Sequence, residues 1–76
     1  MNELNKLRWR CRRGTLELDI LLLNYLENHF PQANADTQQG FLRLLELEDT
    51  ELMQYLLGEA VPKDTVLAGL TSMMRI

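Results

Sequence analysis

Few residues in this chain are equipped for chemistry. Its one thiol, Cys11, stands between Arg10 and Arg12-Arg13, and neighbouring guanidinium groups favour the reactive thiolate. Its one imidazole, His29, has no second histidine and no nearby cysteine with which to build a metal site or a nucleophile–base pair. Acids gather at Glu46, Glu48, Asp49 and Glu51, but acids around a helix start ordinarily serve as caps and solvated charge. The sequence contains no phosphate-cradling loop, dinucleotide fingerprint or catalytic triad. The chain therefore reads as a non-enzyme with no metal site. Cys11 is expected to be a half-buried structural residue and His29 a polar residue near a helix end.

Two adjoining stretches suit recognition instead. Arg8-Trp9-Arg10-Cys11-Arg12-Arg13 offers cations for phosphates and a ring for stacking on a base. The patch is short, however, the whole chain is acidic, and no helix-turn-helix pattern places a recognition helix. Protein binding accounts for the same residues, and a charged face packed by Trp9 is the plainer alternative. Next comes Arg13-Gly14-Thr15-Leu16-Glu17, in which two opposite charges flank a residue without a side chain. A partner backbone can approach closely at such a point. On spacing alone the stronger reading is local: Arg13 complements a helix end, Gly14 makes the turn and Glu17 favours the next helix start.

Helices must carry these residues. Leu dominates, while Gly (4) and Pro (2) are too sparse to break the chain often. The first helix is expected from about Glu3 to Arg12, with Gly14 as terminator. The second is expected from about Thr15 to Asn28, with Leu16, Ile20, Leu23 and Phe30 on one apolar stripe and Leu18, Leu22, Tyr25 and Leu26 on another. So broad an apolar face predicts a central position. Glu17, Leu21, Asn24 and Asn28 fall on the remaining stripe, and Leu21 among polar neighbours is a candidate for a docking surface. Gln32 to Ala35 reads as a loop, and Asp36-x-x-Gln39 resembles a capping box opening a third helix to about Leu45. Glu46 to Thr50 is an acidic connection with Asp49 as N-cap. A fourth helix runs to Leu57, with Leu52, Met53, Leu56 and Leu57 inward and Gly58 ending it. Asp64 caps a last helix bearing Val66, Leu67, Leu70, Met73 and Met74. The expectation is an all-α fold, a compact bundle of about five short helices in one domain over residues 1–76.

A single cysteine excludes an internal disulfide framework and points to a reducing compartment. The N-terminus lacks a secretory apolar core, and the longest apolar run, Ile20 to Leu23, is far too short for a bilayer. A soluble cytoplasmic protein is expected (or a matrix protein, if a presequence has been removed), without membrane insertion and monomeric when free. The net charge of −3 conceals an asymmetry. Residues 1–13 carry Lys6, Arg8, Arg10, Arg12 and Arg13 against Glu3, while the remainder is strongly acidic. Local charge therefore governs partner choice.

The wider context resolves the Arg-Gly-x-x-Glu spacing. Trp9-Arg10-Cys11-Arg12-Arg13-Gly14-Thr15-Leu16-Glu17-Leu18-Asp19 resembles the signature of the succinate dehydrogenase flavinylation factors, the SdhE family. Phe41-Leu42-Arg43-Leu44-Leu45-Glu46 and Asp49-Thr50-Glu51-Leu52-Met53-Gln54-Tyr55-Leu56 resemble its second region, with Tyr55 where many members carry Trp. The resemblance spans about Leu7 to Pro62. It implies a small helical assembly factor that binds the flavoprotein subunit of succinate dehydrogenase and promotes covalent attachment of FAD to a histidine of that subunit. The fumarate reductase flavoprotein is implied as a second client. The covalent bond forms on the client, so the factor is expected to hold no FAD stably. By resemblance Arg13, Gly14 and Glu17 face the flavoprotein, and Trp9, Arg10, Arg12 and Leu21 complete the candidate partner-binding set. The rival reading is a small nucleic-acid-binding or regulatory protein using the arginine-rich first helix.

Overall fold

A chain of 76 residues permits one modest core, and the second helix supplies its centre. In a computed structural model, which describes residues 3–75, five helices follow one another: α1 Glu3–Cys11, α2 Leu16–Asn28, α3 Ala35–Leu44, α4 Asp49–Leu56 and α5 Thr65–Met74. A short 3₁₀ turn, Phe30–Gln32, separates α2 from α3. Among the described residues there is no strand, in keeping with the expected all-α bundle. Met1, Asn2 and Ile76, on which the reading of the chain ends rests, lie outside the described residues.

Leu18, Leu22, Tyr25 and Leu26 turn one face of α2 into the core, where Cys11 of α1, Phe41 and Leu44 of α3, Leu52 and Leu56 of α4 and Leu70 and Met74 of α5 meet it. Tyr25 stacks on Phe41 at 5.0 Å between ring centroids, and Phe30 tilts onto the same ring at 5.5 Å. The other stripe predicted to point inward does so only at its far end, where Phe30 is buried. Leu16 is 74% exposed and Ile20 57% exposed, while Leu23 only flanks the core. A helix of 13 residues in so small a fold has neighbours for one face, and the Leu18 stripe takes them. Leu57 and Met73, also expected inside, are exposed as well.

The ends of the helices differ from expectation in instructive ways. The side chain of Asn34, rather than Asp36, caps α3 by accepting the Thr37 N–H at 2.8 Å. Asp64 caps α5 as expected, accepting from the Val66 and Leu67 N–H groups. Those bonds and the Arg43 guanidinium at 2.9 Å hold its carboxyl below the usual range, against a smaller opposing effect of desolvation. Glu48 occupies the cap position of α4 with no side-chain bond, and Asp49 is already helical. Gly58 ends α4 at φ +79°. Between α3 and α5 the packing is tight at Gly40, where a Cβ atom would lie 2.4 Å from Val66 Cγ1.

Candidate protein-binding surface

Gly14 turns the chain between α1 and α2 at φ +87°, a left-handed conformation that costs an L-residue roughly 1–2 kcal/mol. It is exposed, and a Cβ built on it would meet nothing within 4 Å. Conformation accounts for the glycine, and the space above it is open. Thr15 caps α2 with extended backbone and no side-chain bond. Glu17 follows in the first turn with its side chain in solvent.

Arg13 behaves differently from its neighbours. Its backbone N–H donates to Asp19 Oδ1 at 2.7 Å. Its guanidinium turns inward, with the side chain only 13% exposed. Nε donates to Asp49 Oδ1 at 2.6 Å, one terminal nitrogen to the Leu45 carbonyl at 2.7 Å and the other to the Leu47 carbonyl. Those carbonyls follow the C-terminal end of α3, where backbone acceptors lack helical partners and the helix dipole favours a cation. A planar fork of fixed donors suits three acceptors at once. This explains why Asp49 is no N-cap: its carboxylate is engaged by a residue far away in sequence.

The remaining predicted residues divide between two flanks of α1. Trp9 is 75% exposed, with the Arg12 guanidinium 5.9 Å from its ring centroid, within cation–π range. Arg8 on the same flank pairs with Glu27 of α2 at 3.4 Å. Arg10 instead joins Lys6 at the edge of a groove floored by Leu7, Phe30 and Leu42, so the structure separates it from Trp9 and Arg12. Leu21 is half-buried and packs partly against the core.

Two residues absent from the sequence-predicted set complete the surface. Leu16 and Ile20 lie on one helical stripe with Leu23 and Glu27, and the Arg8–Glu27 pair sets that stripe beside the Arg8–Arg12 flank of α1. Exposed apolar side chains on α2, an exposed tryptophan on α1 and an open glycine between the two helices thus all belong to the α1–α2 hairpin. Exposed apolar side chains that adjoin one another are a feature of interaction surfaces. The signal available in the sequence was the presence of two apolar stripes on α2 competing for one core.

The chemically reactive candidates are quiet. Cys11 is fully buried rather than half-buried. Burial pushes its thiol up to about 11, outweighing the downward pull of Arg10 and Arg13, with Asp19 adding to the rise. It therefore stays protonated at neutral pH and is a poor nucleophile. His29 is exposed, its ring 5.5 Å from that of Tyr25. Among the described residues no group of acids, His and Cys is placed to hold a metal ion, and no helix is long and apolar enough to cross a membrane.

Comparison with known proteins converges on one family. A family profile described as flavinator of succinate dehydrogenase matches residues 5–76. The FAD assembly factor SdhE of Methylococcus capsulatus is 40% identical over 75 residues, covering 99% of this chain and 90% of that protein. The factor of the same name from Xylella fastidiosa strain Temecula1 is 47% identical over 73 residues, covering 96% of this chain and 75% of its own. That of Shewanella oneidensis is 39% identical over 70 residues, covering 92% and 85%.

Proposed function

The chain belongs to the family of succinate dehydrogenase flavinators, and from that premise we propose that it binds the flavoprotein subunit of succinate dehydrogenase through the α1–α2 junction and promotes covalent attachment of FAD to a histidine of that subunit. The observation that carries this reading is Gly14, held at φ +87° with open space above it and an exposed Glu17 beside it. A low, fixed saddle admits a partner backbone. Leu16, Ile20 and Trp9 supply apolar contact around it, and Glu17 and Arg12 supply charge of both signs.

Such a factor acts without a catalytic residue of its own. It binds more tightly to the client conformation in which flavin and histidine are aligned, raises the population of that state and so removes part of the entropic barrier. FAD is the substrate of the reaction on the client, and the factor holds none stably. The protein works as a cytoplasmic monomer, with the fumarate reductase flavoprotein as a second client. The test is the covalent-flavin content of the dehydrogenase flavoprotein subunit in cells with and without this protein, paired with a pull-down. Covalent flavin falling sharply in its absence, with the subunit recovered in the pull-down, supports the reading. Unchanged flavin content, with strongly salt-dependent nucleic-acid binding in its place, refutes it.

A further inference from the structure

We propose that Arg13 is a positioning residue, joined to Asp19 and Asp49 in a clamp that fixes how Gly14 and Glu17 are presented, and that its guanidinium stays inside the factor when the client is bound. The inference rests on the client-binding reading above and changes the part Arg13 takes in it. The guanidinium meets three acceptors, the Leu45 and Leu47 carbonyls of the α3–α4 connection and Oδ1 of Asp49 at the start of α4. Its backbone N–H meets Asp19, one turn into α2. The residue before the saddle is therefore tied both forward to α2 and across to α4. Turning Arg13 outward to a client would take the guanidinium donors from two backbone carbonyls and break the ion pair with Asp49, a larger loss than one surface contact returns. Gly14, by contrast, has no side chain with which to hold itself, and its left-handed turn needs flanking restraints to stay in one place.

The clamp makes demands that a simple charged contact does not. Lysine keeps the charge of Arg13 but cannot serve three acceptors from one planar fork. Arg13→Lys should therefore weaken binding to purified dehydrogenase flavoprotein subunit lacking covalent flavin by about tenfold or more. Asp49→Asn should weaken binding in the same direction, although the Asp49 side chain is engaged from within the factor. The double variant should be no worse than the weaker-binding single variant, because both remove one device. Asp49 is the safer variant for folding, since its side chain is 46% exposed, and thermal melts verify each protein. In NMR spectra the Arg13 Nε–H should exchange slowly in the free factor and stay protected in the complex. Full binding by Arg13→Lys, additive losses in the double variant, or loss of Nε–H protection in the complex would each overturn the clamp. Failure of the wild-type factor to bind the subunit would instead overturn the functional reading itself.

Discussion

Gly14 and Gly40 both lack a side chain, and opposite conditions require it. At the α1–α2 junction the backbone is left-handed at φ +87° and the space above it is empty. At the α3–α5 seam the backbone is helical, and Val66 occupies the place of the missing Cβ, 2.4 Å away. The seam is the part of the fold where packing decides what is tolerated. The junction is the part where conformation decides, and where a side chain added to the surface has room to remain. Packing thus governs one glycine and backbone conformation the other in a chain of 76 residues, and substitutions at the two places should fail in different ways.

The largest effect is expected at the seam. Gly40→Leu forces four carbons against Val66 and Leu70 and should destabilise by about 3 kcal/mol. A domain of this length has a total of only roughly 4–11 kcal/mol, so a denaturant melt should find it marginal. Val66→Ala should restore part of the loss, and the folded fraction should still bind the client. Absence of rescue would show that the seam is not limited by that contact.

Beneath the junction, Cys11 gives a smaller, pH-dependent effect. The sign follows from the raised thiol. Between its ordinary value of 9.0 and about 11 the unfolded chain releases a proton that the folded chain retains. Stability should therefore be full below about pH 9 and fall as pH rises toward 11, by on the order of 2 kcal/mol. Cys11→Ala should flatten this fall, leaving a residual slope at higher pH from Tyr25, whose hydroxyl burial also raises. A melting temperature that declines equally in both proteins would place the alkaline sensitivity elsewhere.

Gly14→Arg should cost about 1 kcal/mol, the price of an L-residue in the left-handed region. The open space accepts the new side chain, so the protein should fold while client binding is lost. Smallest of all in stability are Leu16→Ser and Ile20→Ser, at exposed positions where substitutions fall within about 0.5 kcal/mol. If the apolar stripe of α2 belongs to the interface, their melts should be near wild type while client affinity drops. Unchanged affinity would restrict the surface to the Gly14–Glu17 saddle.

Much of the architecture could be read from the chain because local rules decided it. Five helical segments, the Asp64 cap and the stops at Gly14 and Gly58 follow from periodicity, capping chemistry and left-handed glycines. Long-range competition stayed hidden. Periodicity offers two apolar stripes on α2 without saying which finds neighbours, and Leu16 and Ile20, apolar in pattern, are left outside by the fold. Asp49 has the local pattern of an N-cap, but its carboxylate is taken by Arg13, a partner no local pattern reveals. Of the candidate surface, Gly14 and Glu17 lie where their spacing suggests, exposed and side by side with the turn. The inward path of the Arg13 guanidinium depends on how α3 and α4 meet, which the spacing of Arg-Gly-x-x-Glu does not encode.

The most direct test of the junction as the functional surface is the covalent-flavin content of the succinate dehydrogenase flavoprotein subunit in cells supplied with wild-type, Gly14→Arg or Glu17→Ala factor. Thermal melts of the purified variants establish that each is folded. Loss of covalent flavin with both folded variants, and its retention with wild type, is the expected result. Normal flavinylation by folded Gly14→Arg and Glu17→Ala would contradict the assignment of function to this surface.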